Sequence, residues 1–297
     1  MIPLHFMRAA RLVGCLGGAL LCTQLALAQP DDDPTPVPAA DEATLTADKP
    51  LDDITERHIV TENRPLAYAP IREADILWEK RIWRVVDTRE KMNKPFVSPE
   101  APFFDLIRQA ALSGDLPVYS IDDDRFSKRL STEEVSGLIS KKDTILRIDP
   151  EDYTESIAVV YNDVDWEQVK RFRIKESWFF DKNMGCLRVR ILGIAPLIDV
   201  VDEEGNFKYE RALFWVYYPS ARPLLAQHKV INWGGNASAA TTWEDWLEMR
   251  YFSALPIKEN NIYDRRLQDY LSGTDLAMEA QKIDDRLFNA EHDLWSY

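Results

Sequence analysis

The chain has 297 residues, 45% of them hydrophobic and 29% charged, with a formal charge of −14. That length and composition suit one sizeable globular domain or two small ones. The acidic balance argues against general affinity for nucleic acid or an anionic membrane surface, since both draw on Lys and Arg. Nine tryptophans supply the broad apolar surface found in cores and interfaces.

In chain order, residues 1–28 read as a secretory signal. Arg8 and Arg11 precede an apolar run over 12–27, and Ala26-Leu27-Ala28 fits a cleavage site before Gln29. Cys15 follows a Leu-Val-Gly that resembles a lipoprotein box but lies too early, and Cys22 follows Leu21 where a small residue is wanted. No later stretch approaches the roughly 18 apolar residues of a membrane helix, so the mature chain is expected to be exported without a transmembrane segment. Cleavage leaves Cys186 alone, which rules out an intramolecular disulfide and reads as a small buried hydrophobe in a strand. Residues 29–70 form an acidic, proline-rich arm. It is either disordered or ordered against a neighbouring subunit through Ile54, Ile59, Val60, Leu66 and Tyr68.

Residues 75–96 are expected to form a helix. At 3.6 residues per turn Ala74, Leu77, Trp78, Ile82 and Val85 share a face, while Ile76 and Trp83 point roughly opposite. Apolar residues on two sides predict burial on two sides, with Glu79, Lys80, Arg81 and Arg84 between them. Pro95 ends the segment. Ile76, Trp83, Arg81 and Arg84 are the candidate partner-interface residues, an aromatic anchor among arginines. The opposing expectation is that both apolar sides are buried inside one domain.

A helix follows over 103–113, with Gly114 as its C-terminal cap. A short strand spans 117–121, and Asp122-Asp123-Asp124 makes a turn. Ser131 and Glu134 form a capping box for a helix to about Ser140. Residues 143–217 read as β-rich, with strand runs at 144–148 and 156–161. Hairpins turn at 181–185 and 202–206. Lys-Arg-Phe-Arg-Ile-Lys at 170–175 is the main basic run, and its alternation predicts a strand with one solvated basic face. Helices are expected over 243–252, opened by Thr242, over 261–271, and from Asp275 to about Ala290. The fold class is therefore α+β: antiparallel hairpins flanked by N-terminal and C-terminal helices, in one domain over 71–297.

Tests for chemistry find no zinc-type Cys or His spacing, and His58, His228 and His292 are widely separated. Asp163, Asp165 and Glu167, like the 122–124 triplet, lack the glycine and distant glutamate of a calcium loop and read as turns or caps. No nucleophile elbow or phosphate loop is present, and Asn232-Trp-Gly-Gly-Asn236 reads as an ordinary loop. Catalytic, cofactor and metal residues are therefore expected to be none. An exported carbohydrate-active enzyme or glycan-binding module stays open, because a glycosidase needs only two placed carboxylates. Trp243 and Trp246 at helical spacing read as core rather than sugar platform.

Leu-Trp-Glu-Lys-Arg-Ile-Trp-Arg at 77–84, Asp-Thr-Arg-Glu-Lys-Met-Asn at 87–93, Pro95-Phe96 and Phe-Phe-Asp-Leu-Ile at 103–107 resemble the GldN/PorN family. The resemblance runs from about residue 72 into the C-terminal region. It implies a periplasmic component of the type IX secretion and gliding machinery of Bacteroidota, associated with the inner face of the outer membrane. Such proteins assemble into rings with an outer-membrane lipoprotein, GldK/PorK, and contact the motor component GldM/PorM.

Overall fold

The computed structural model describes residues 54, 58–148, 155–202, 204, 206–231 and 240–293. The expected signal segment with Cys15 and Cys22, residues 29–53 of the arm, and the loop at 232–236 lie outside them. The described residues from 58 onward belong to one compact unit.

The block at 75–96 is not a helix. Its first half is strand β1, Ile76–Asp87, and its second half a 3-10 helix, Lys91–Val97. Ile82 and Val86 occupy one face of β1, Trp83 and Val85 the other, and each of these four contributes to a packed cluster. A strand buried on both faces reads as a continuous apolar run and loses the period-two signature. Aromatic and β-branched residues at 82–86 favour extended backbone. Two-sided burial was therefore legible in the pattern, while the element type was not.

The following elements are α1, Phe103–Ser113, β2, Val118–Tyr119, α2, Thr132–Ile139, β3, Ser140–Ile148, and β4, Glu155–Asp163. Gly114 takes φ 85°, the left-handed cap its position requires. Ser131 and Glu134 close both bonds of the capping box. Then come β5, Val169–Asp181, β6, Cys186–Val201, β7, Phe207–Ala212, and β8, Trp215–Tyr217. The two expected hairpins share β6, which runs through the region between them with a bulge opposite Lys175 and Glu176. The chain finishes with α3, Tyr218–Ala226, α4, Trp243–Glu248, β9, Leu255–Glu259, and α5, Gly273–Asp293.

One sheet has the order β2-β8-β6-β5-β1-β9, with β7 also on β6, and every pairing is antiparallel. β3 and β4 form a separate hairpin. The α+β class is as expected. The main core joins α1, α3, α4 and the 91–97 turn to one face of the sheet. There Phe103 packs on Trp243 at 4.6 Å and on Phe96 at 5.2 Å between ring centres. α5 covers Trp78, Ile82 and Trp178. The opposite face carries a third cluster of Trp83, Ala195, Leu197, Ala212 and Trp215, flanked by Phe126.

Two further helix expectations change. Residues 261–271 are a loop with one 3-10 turn, Leu267–Asp269. The Asn261 amide donates to the carbonyls of Glu259 and Arg265 while its oxygen accepts from the Arg265 N–H, an alternative to helical bonding. The Thr242-capped helix stops at Glu248, and Arg250 at φ 56° turns the chain away before Phe252.

Candidate functional site

β1 crosses the middle of the sheet and separates two charged clusters. Trp83 lies on the face away from the main helices and is 6% exposed. Its cross-strand neighbours are Lys175 on β5 and Lys258 on β9. Register alone thus sets a lysine on each side of the indole, with ammonium-to-ring distances of 5.5 Å and 4.3 Å. The loops after β2 and β9 supply the balancing groups. Lys175 donates to the Asp124 carbonyl. Lys258 pairs with the Asp124 carboxylate at 3.3 Å and with Asp264 at 2.6 Å. Burial pulls the Lys175 pKa down. Phe126, at φ 60°, seals the edge against Trp215, Tyr119 and Tyr217. Gly193 leaves room for that ring: a Cβ there would stand 2.6 Å from Phe126 Cζ.

The other face holds a buried carboxylate. Glu176, 0% exposed, accepts from Arg250 at 2.6 Å and from the Trp178 indole at 2.9 Å, and pairs with Arg84 at 3.2 Å. Arg84 continues to Asp284 on α5 at 2.5 Å and to the Ala254 carbonyl at 3.3 Å. It therefore ties β1 to the C-terminal helix. A buried carboxylate demands such a set, because an unpaired charge in that position costs several kcal/mol, on the order of 3–5.

The basic run at 170–175 does not present a solvated face. Arg171, Arg173 and Lys175 share one side of β5, and Arg173 and Lys175 are buried there. Arg171 pairs with Asp199 and Glu210.

The four expected interface residues do not gather on one outward surface. Trp83 and Arg84 are buried on opposite faces of β1, Ile76 is half-buried and Arg81 exposed. Tyr68, in the arm read as either disordered or ordered against a neighbouring subunit, lies on the chain's own domain. Its ring sits 4.0 Å from the Arg222 guanidinium and 4.6 Å from that of Arg190, and its hydroxyl donates to Glu248 at 2.5 Å. Burial and that bond raise its pKa. Arg222 also bonds Glu244 at 2.5 Å and the Leu66 carbonyl at 2.7 Å. Lys258, Glu176 and Arg250 were not singled out from sequence, and Asp124 was read only as part of a turn. Their partners lie on other strands and loops, and no local spacing marks them.

Trp243 and Trp246 are both buried in the main core. Asp165 caps the turn at Trp166. Among the described residues no group of three or more His, Cys, Asp or Glu is placed to hold a metal ion. No helix among them is long and apolar enough to cross a membrane.

An antiparallel sheet wrapped by helices, with its buried charges paired largely to one another, defines an α+β domain. Over residues 71–296 the sequence matches the model of the family described as gliding motility associated protein GldN, and the chain belongs to that family. No curated protein matches the sequence.

Proposed function

We propose that this gliding motility-associated chain is a structural periplasmic subunit of the type IX secretion system. It assembles with a GldK/PorK-like outer-membrane lipoprotein into a ring, and the ring couples to a GldM/PorM-like motor component. The family match over 71–296 carries this reading. The paired interior of the sheet supports it, since such a domain is suited to bearing load rather than turning over substrate. Nothing in the family match favours the carbohydrate-active alternative.

Within this reading the contact surface centres on the first half of β1. β9 pairs with β1 only at 82–85, so residues 76–80 have strand partners on the β5 side alone among the described residues. Ile76 and the exposed Leu77 occupy that stretch, and the exposed Arg81 adjoins it. Trp83 and Arg84 fix it from beneath. Open strand edges are templates for pairing with another chain.

The test is purification from the cell envelope through a tag on this chain, followed by electron microscopy. A large annular particle containing a lipoprotein is expected. A lone monomer, or a monomer that binds or cleaves saccharide, overturns the proposal.

A further inference from the structure

Residues 63–70 lie extended across α3, α4 and β6 without a strand partner among the described residues. The domain holds them as it would hold a bound peptide. Arg222 donates to the Leu66 carbonyl at 2.7 Å, and Arg190 to the Ala69 carbonyl at 3.0 Å. The Tyr68 ring lies against both guanidinium groups, and its hydroxyl donates to Glu248 at 2.5 Å. Two backbone carbonyls and one tyrosine are thus read by side chains of three different elements. The reading groups are preorganised: Arg222 and Glu244 are both buried and paired at 2.5 Å.

The same segment is held shallowly. Leu66 is 83% exposed, and a cavity of about 500 Å³ lies between the segment and the α4 residues Glu244, Glu248 and Met249. So little apolar burial marks a contact of low local stability. Pro65 and Pro70 bracket the stretch and bias the residues before them to extended backbone. The 3-10 turn at Glu73–Asp75 then leads directly into β1. Released from the groove, residues 63–72 span roughly 30 Å when extended. Their hinge therefore adjoins the open edge at 76–80, so a copy docked at that edge stands within reach.

We propose that the groove formed by Arg190, Arg222 and Glu248 is a docking site for residues 63–70 of a second copy of this chain. Neighbouring copies exchange the segment, and the contact within one chain is its closed form. Exchange makes between chains the same bonds that it breaks within one, so its balance is set by the effective concentration of the neighbour's segment. This rests on the reading that copies of the chain assemble side by side.

Cross-linking between differently tagged full-length copies tests it. The native cysteines are replaced by Ser in both. One copy carries Ala67→Cys and the other Met249→Cys, exposed positions that line the same cavity, so neither change disturbs the core. The two are co-expressed, purified from the envelope through one tag and treated with a short thiol cross-linker. A linked band carrying both tags is expected, and it is expected to be lost when Phe207→Cys, an exposed position on β7, replaces Met249→Cys. A single chain with Ala67→Cys and Met249→Cys together shows that the pair can be joined. Copies that co-purify without the 67–249 link, while the doubly substituted chain links internally, overturn exchange and leave the assembly reading standing. Equal linking at 207 and 249 also overturns exchange, since the segment would then be merely loose. Copies that do not co-purify overturn both.

Discussion

Trp83 has no freedom to adapt. It sits between two lysines in register, with Ala195, Leu197, Ala212 and Trp215 completing the cluster. Trp83→Ala removes a large buried ring and leaves Lys175 and Lys258 without their aromatic partner. A loss of about 3–5 kcal/mol is expected in chemical denaturation, with Trp83→Phe costing clearly less. Gly193 is constrained by contact rather than by its backbone. Its missing side chain leaves room for Phe126, and Trp215 also lies 3.2 Å from where a Cβ would stand. Gly193→Ala must therefore move a ring held by three aromatic neighbours, a cost of about 1–3 kcal/mol. Increased proteolysis in the loop at 120–128 is the expected sign, and an unchanged cleavage pattern would show that the ring yields easily.

At the scale of elements, Arg84 links the centre of the sheet to α5 through Glu176 and Asp284. Arg84→Met leaves a fully buried carboxylate with Arg250 as its remaining ion-pair partner, and a loss of about 3–5 kcal/mol is expected. Hydrogen exchange should then rise first along α5. β1 is also pinned at its ends. Hydrogen bonds from Arg72 to Asp75 and from Arg89 to Asp87 hold both carboxyls below their usual range. Depressed carboxylate pKa values contribute stability above the unfolded value of about 3.9, which is lost as pH falls through the folded values. Tm is therefore expected to fall below about pH 4, and Asp87→Asn should lose part of that dependence. Capped helices, turns and most strands were legible because their signals are local: Ser131 with Glu134, Gly114 after Ser113, the turn at 181–185. β1 was not legible, because burial on both faces erased its alternation. The loop at 261–271 misled for a related reason: its apolar spacing is helical, but Asn261 takes the backbone groups a helix would need.

For the whole molecule, the pairing of buried charges leaves a surface that must carry most of the net charge of −14. Identical copies brought side by side therefore repel one another. The Debye length is roughly 30 Å at 0.01 M salt and about 8 Å at 0.15 M, so that repulsion reaches across an interface only when salt is low. Apolar side chains available for contact are well exposed: Phe288 and Met278 on α5, Ile262 and Tyr263 before the 267–269 turn, and Phe207 with Tyr209 on β7. Contacts of this kind do not weaken with salt, whereas contacts through Arg81 do. Self-association of the isolated chain, followed by sedimentation velocity, is therefore expected to increase between 0.01 M and 0.3 M salt. The opposite trend would show that exposed ion pairs, with Arg81 the first to replace by Gln, dominate the contact between copies.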